Sequence, residues 1–356
     1  MRILVYGAYW HGQWVEYAAE GLKRNGHIVE IIYWNKTDSI IERIINNIPD
    51  IKVLGYAKYK IEQTAIRKNV LKSFIAKIPI FKPDLIFVLG SSGNPISGLE
   101  LQQIKKKNKV PIVCWYGDDP LRFYEFTRDI LYYDYVFLGD PYSIDQINII
   151  KDGKVGYLPG AVDETVYKRI KLSKNETDEY SCDISFVGSA YTSDGSSIYR
   201  ASILSELAEY GMKIYGEKKW WLEVNKIFQK LDNAIVGHIL TAEQANKLFN
   251  VSKIVMNIHH PQIKYATNIR TFEIAASGAF QLADYKDALN DLFKLNTQIV
   301  TFKSTGELKE KAKYYISHEE ETRSIAESLR REVLEKHTYS IRMREMLDIL
   351  NKSKIL

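Results

Sequence analysis

Short apolar runs rich in β-branched residues recur along this chain, each followed by a longer stretch of helical period, and they do so in two successive series. The first comprises Arg2–Tyr6, Ile28–Tyr33, Asp84–Leu89, Ile112–Tyr116, Tyr135–Leu138 and Lys154–Leu158. Continuous rather than alternating apolar strands are buried on both faces, and strands separated by helices are joined by crossovers, so the series predicts a parallel, doubly wound α/β sheet. A charged, hydrophilic stretch over 166–181 reads as a linker. The second series follows at Asp183–Val187, Lys213–Tyr215, Ala234–Val236, Lys253–Ile258, Ala279–Leu282 and Gln298–Thr301. Ile198, Ala201, Leu204 and Leu207 give the apolar stripe of its first crossover helix. With 356 residues, more than one hydrophobic core usually serves, the chain divides into Rossmann-like domains over 1–165 and 182–335. Residues 336–356 form a last helix that returns to the first domain. Two such sheets are expected to face an interdomain cleft, with ligands at the carboxyl ends of the strands.

The totals exclude several classes. A formal net charge of +5, with basic residues interspersed among acids, does not imply nucleic acid. Cys114 and Cys182 are far apart and form no CxxC, so neither a disulfide framework nor a zinc site is expected. No apolar run approaches the roughly 18 residues that span a bilayer. The opening MRILVYGAYW runs straight into a strand rather than a signal sequence, which makes the expected location cytoplasmic. Ile40, Ile41, Ile44, Ile45 and Ile48 form a stripe suited to core packing, or to peripheral contact with a membrane or partner. The 24 tyrosines would suit carbohydrate contacts as well as packing.

Several strand ends carry residues with chemical potential. The turn Gly7-Ala8-Tyr9-Trp10-His11-Gly12 lacks the middle glycine of a dinucleotide fingerprint, and no GxxxxGK[ST] occurs, so a dehydrogenase and a P-loop nucleotidase are both unsupported. His11 is a candidate for catalysis or phosphate contact, or a packed loop histidine. Asp118 and Asp119, in Trp115-Tyr116-Gly117-Asp118-Asp119-Pro120, suit a general base, a sugar contact or a helix cap before proline. No further carboxylate or histidine nearby completes a metal shell, so no metal is expected. In the second half, Gly188-Ser189, Tyr215-Gly216 and Gly237-His238 follow strands as small-residue turns that leave room for a phosphate, base or ribose. The densest segment is Asn268-Ile269-Arg270-Thr271-Phe272-Glu273-Ile274-Ala275-Ala276-Ser277-Gly278. Asn268 can cap a helix whose free amides face an anion, Arg270 can clasp a diphosphate, and Glu273 can accept from a ribose diol. The same spacing also fits a capped amphipathic helix with a surface glutamate.

These motifs, taken in order, resemble the CgeB-like glycosyltransferases and, more distantly, the group-1 glycosyltransferases of GT-B fold. The resemblance rests on WYGDDP at 115–120, YLPGAVDETVY at 157–167, DISFVGS at 183–189, SKIVMNIH at 252–259, NIRTFEIAASGAFQLADY at 268–285 and HTY at 337–339. It implies a first domain for the acceptor, a second for a nucleoside-diphosphate sugar, and transfer to a glycan, protein or small-molecule hydroxyl with no metal or other cofactor. It implies a ribose contact for Glu273, and places Asn268, Arg270 and Thr271 near the diphosphate. Retaining members of the wider group carry another glutamate eight residues before the ribose glutamate, where this chain has Tyr265, so both stereochemical outcomes stay open. An inverting displacement would take its base from His11, Asp118 or Asp119. The rival readings are a sugar-nucleotide epimerase or phosphorylase on the same domains, and a catalytically silent binding subunit of a polysaccharide assembly complex.

Overall fold

The structure, a computed structural model, describes residues 1–9, 14–36, 67–91, 96–191 and 195–356. His11 and the isoleucine stripe from Ile40 to Ile48 lie outside the described residues. The chain divides into two compact units, one of Met1–Pro159 with Tyr339–Leu356, the other of Gly160–Thr338.

In the first unit, β1 (Arg2–Gly7), α1 (Trp14–Arg24), β2 (Ile28–Tyr33), α2 (Arg67–Phe81), β3 (Leu85–Gly90), α3 (Gly98–Lys107), β4 (Ile112–Tyr116), α4 (Tyr124–Asp129), β5 (Tyr135–Leu138), α5 (Ile144–Lys151) and β6 (Val155–Tyr157) follow one another. The strands pair in parallel in the order β2-β1-β3-β4-β5-β6. Every residue of β3, β4 and β5 is buried, as helices on both faces require.

The second unit contains α6 (Lys174–Tyr180), β7 (Cys182–Val187), α7 (Ser196–Ser205), β8 (Met212–Tyr215), α8 (Lys218–Asn225), α9 (Ala242–Val251), β9 (Ser252–Asn257), α10 (Ile269–Ala276), β10 (Gln281–Asp284), α11 (Asp287–Leu292), β11 (Val300–Phe302), α12 (Thr305–Ile316) and α13 (Glu319–Lys336). Its strand order is β11-β10-β9-β7-β8. Both sheets are therefore wound alike, the first strand lying between the second and the third. The winding reverses direction between β1 and β3 and again between β7 and β9, and at such a reversal the crossovers diverge to opposite faces and leave a crevice at the carboxyl ends.

Two expectations need correction. Ala234–Val236 forms no strand but a single parallel bridge, Ile235 to Ile214, because Gly237 at φ 75° turns the chain away at once. The stretch 166–181 is not a bare linker. The amides of Lys168 and Ile170 donate to the side chains of Asn246 (3.1 Å) and Asn250 (3.0 Å) on α9. Ser173 and Glu176 then build a reciprocal cap that starts α6.

A final helix, α14 (Tyr339–Lys352), completes the first unit against α1. Asn25 donates from its side chain to the Ser340 carbonyl at 2.7 Å, and Met343, Met346 and Leu350 are fully buried. The approach is closest at Gly21, where a Cβ would come within 2.6 Å of the Tyr339 carbonyl oxygen. Alanine in a helix interior ordinarily gains up to about 1 kcal/mol over glycine. Here it meets backbone that cannot rotate aside, and overpacking costs about 1–3 kcal/mol. Gly21→Ala is therefore expected to lower the urea midpoint, with a net loss of stability of up to about 2 kcal/mol. A raised midpoint would mean that α14 does not lie against α1.

Candidate functional site

The carboxyl edge of the second sheet gathers most of the sequence-derived candidates of that unit. Around β7 and β8 the backbones are nearly in contact: a Cβ on Gly216 would run into the Gly188 carbonyl oxygen, and one on Gly188 would lie 2.7 Å from the Phe186 ring. The Gly188 amide donates to the Tyr215 carbonyl and the Gly216 amide to the His238 carbonyl, both at 3.0 Å. Trp221 seals the corner by donating its indole N–H to the Gly188 carbonyl at 3.0 Å. These glycines thus satisfy a packing demand of their own, independent of any ligand. Tyr215 is buried with its ring edge-on to His238 at 5.2 Å, and burial pushes its phenol up to about 12. His238 is exposed, and Ser189, half-buried, accepts from Arg200 at its carbonyl (2.9 Å).

At the neighbouring strand ends, α10 begins. Asn268 caps it, its side-chain oxygen accepting from the Thr271 amide at 3.2 Å while its own amide group donates to the Asn257 side chain at 2.9 Å. Arg270 and Glu273 form an ion pair at 2.6 Å, with the guanidinium 5.5 Å from the centre of the Phe249 ring. Glu273 is 4% exposed, so it is not a surface glutamate. The helix ends at Gly278, whose φ of 77° reverses the chain into β10.

Under the cap lies a buried polar network that the sequence reading missed. The Asn257 side-chain amide donates to the Thr271 hydroxyl (2.8 Å) and to the Gln281 side chain (3.2 Å), and Gln281 donates to the Thr271 carbonyl at 2.9 Å. Thr271 also bonds Thr267 through their hydroxyls, and Thr267 meets Nε2 of His259 at 2.9 Å. Nδ1 of His259 lies 2.6 Å from the Asp284 carboxylate, which also accepts from the His259 amide at 2.8 Å and from the Tyr199 hydroxyl at 3.3 Å. Burial alone would push the Asp284 carboxyl up, but the hydrogen bonds from His259 outweigh it and hold the group below the usual carboxylate value. The clue in the sequence was a set of polar residues at the ends of otherwise apolar strands, Asn257 closing β9 and His259 just beyond it, Gln281 opening β10 and Asp284 closing it.

In the first unit, Asp119 caps the turn at Pro120, accepting from the Leu121 amide at 3.1 Å, and also accepts from the Ser143 hydroxyl at 3.0 Å. Asp118 stands beside it, half-buried. Tyr265, eight residues before Glu273, gives its hydroxyl to Asp291. Among the described residues, no group of three or more His, Cys, Asp or Glu side chains could hold a metal ion, and no helix is long and apolar enough to cross a membrane.

Residues 200–348 match the family described as glycosyl transferase-like. The spore protein CgeB of Bacillus subtilis is 25% identical over 279 residues, which cover 74% of this chain and 82% of that protein. A glycosyltransferase from Rickettsia africae superposes with a TM-score of 0.65 at 15% identity, covering 99% of this chain and 98% of its own. The Anabaena protein HepE, crystallised with UDP and glucose, gives a TM-score of 0.64 at 12% identity, covering 99% of this chain and 100% of its own. The chain is thus CgeB-like, with a glycosyl transferase-like domain over residues 200–348 and the GT-B fold.

Proposed function

We propose that this chain transfers a sugar from a nucleoside-diphosphate sugar to an acceptor hydroxyl, with the donor held at the carboxyl edge of the second sheet and the amino end of α10. The observation that carries this is the Arg270–Glu273 pair, a half-buried guanidinium and a buried carboxylate at the start of a side-chain-capped helix, beside the reversal of winding between β7 and β9. HepE, of the same fold, was crystallised with UDP and with UDP-glucose, which makes UDP the first ligand to test.

The ion pair suits an exchange of partners. Without a donor the half-buried guanidinium neutralises the buried carboxylate. On binding, the phosphates would draw the guanidinium and the ribose hydroxyls would turn to the carboxylate, so neither charge is left uncompensated at any stage. In the transfer step the acceptor oxygen attacks the anomeric carbon as the bond to the leaving phosphate breaks. The negative charge that grows on the diphosphate faces Arg270 and the first amides of α10. The acceptor proton needs a base. The sequence offers His11, Asp118 and Asp119 for that role, and Asp119 also serves as a cap.

A screen of nucleoside diphosphates and their sugars for thermal stabilisation tests the reading as a whole. Ligand at a hundred times its Kd adds about 2.7 kcal/mol to stability, and no stabilisation by any of them would refute it. Arg270→Lys keeps a cation beside Glu273 but loses the planar fork, and should weaken UDP by about 1–2 kcal/mol in titration calorimetry while leaving the melting temperature nearly unchanged. Equal affinity would remove Arg270 from the diphosphate site. Glu273→Gln offers a ribose one acceptor and one misplaced donor, and should cost about 1–3 kcal/mol toward UDP. The same variant should lose little further toward 2′-deoxy-UDP, which lacks one hydroxyl. Equal losses toward both ligands would show that Glu273 does not read the ribose. Because charge on the leaving group is met by Arg270 and helix amides, transfer should proceed undiminished in EDTA. Loss of turnover that magnesium or manganese restores would contradict it.

A further inference from the structure

The buried network beneath α10 runs in one direction, and that direction follows from its last member. Asp284, held as a carboxylate, only accepts, so Nδ1 of His259 carries a proton, and with the ring neutral Nε2 is the acceptor. The Thr267 hydroxyl must then donate to Nε2, the Thr271 hydroxyl to Thr267, and the Asn257 amide to Thr271. Every link is buried, with His259 and Thr271 at 0% exposure, so no water can replace a missing one. The Thr271 hydroxyl also lies 3.4 Å from the Asn268 side-chain oxygen, which accepts from the Thr271 amide it caps at 3.2 Å. His259 and Thr267 also stand at the two ends of the segment joining β9 to α10, so their bond closes that segment into a loop fixed on the sheet edge.

We propose that His259 and Thr267 are positioning residues that set the height and orientation of the first turn of α10, with Asp284 fixing the tautomer on which the order depends. This rests on the donor reading above, since what the relay positions are the amides and the Arg270 side chain offered to the diphosphate.

The two amide replacements of His259 separate this role from simple packing. In His259→Gln the side-chain amide reaches the place of Nε2 and can still accept from Thr267. In His259→Asn it reaches only the place of Nδ1 and serves Asp284 alone. Titration with UDP should find His259→Gln within about threefold of wild type, whereas His259→Asn and the near-isosteric Thr267→Val each weaken UDP by roughly tenfold. Hydrogen exchange in the ligand-free chain should show faster exchange of the Thr271 amide in the latter two variants and not in the first. Equal loss in both histidine variants would mean that the ring only fills space, and the relay would be overturned. It would likewise be overturned if Thr267→Val left UDP binding intact while Arg270→Lys weakened it. If neither Thr267→Val nor Arg270→Lys altered UDP binding, the placement of the donor itself would fail, and the relay's function with it.

Discussion

Glu273 keeps 4% of its surface, and a carboxylate so far from water is tolerable only beside a counter-charge. Much of the carboxyl edge of the second sheet serves that requirement. Arg270, one turn earlier on the same helix, supplies the charge, and the Phe249 ring lies beneath its guanidinium. Ala275 and Ala276 are fully buried, and Ser277 ties the end of α10 to Asn246 at 2.7 Å. The helix is thereby held at both ends, and the pair is held with it. A carboxylate kept in this way can change partners but cannot be left without one, and the proposed donor role draws on that property.

The same edge shows how a parallel sheet manages polar groups where its strands stop. Amides and carbonyls that leave the ladder must find partners. Around β7 and β8 they find each other, through glycines packed too closely for any side chain. Around β9 and β10 they find side chains, as the His259 amide finds Asp284, while Gln281 reaches from β10 to the Thr271 carbonyl in the first turn of α10. The first solution makes a rigid floor. The second makes a network whose members have defined protonation and defined direction.

What the sequence disclosed and what it concealed differ by range. The central strands were legible because an unbroken apolar run such as Leu85–Leu89 can lie only in the middle of a covered sheet. Ala234–Val236 has the same local look but is cut short by the left-handed turn at Gly237, a backbone property that apolar content does not report. Within 166–181 the pattern Ser173-x-x-Glu176 is a helix-start signature set among many charges. At the site, Asn268 as a cap and the closeness of Arg270 to Glu273 follow from helical spacing alone. The relay does not. His259 and Asp284 are 25 residues apart, and Asn257 and Gln281 are 24 apart, so only the pairing of β9 with β10 brings them together.

The contact of α14 with α1 carries a consequence for how the molecule is made. Residues 160–338 form a unit continuous in sequence, whereas the other unit needs Tyr339–Leu356, which are translated only after the whole of that unit. At synthesis rates of about 5–20 residues per second, the α1 surface around Gly21 waits many seconds on the ribosome for its cover. The usual order of assembly is inverted, with the second unit able to finish first. Throughout that interval the apolar face of α1 lacks its cover, and a truncation that removes Tyr339–Leu356 would strand the amino-terminal unit rather than the unit that precedes the cut.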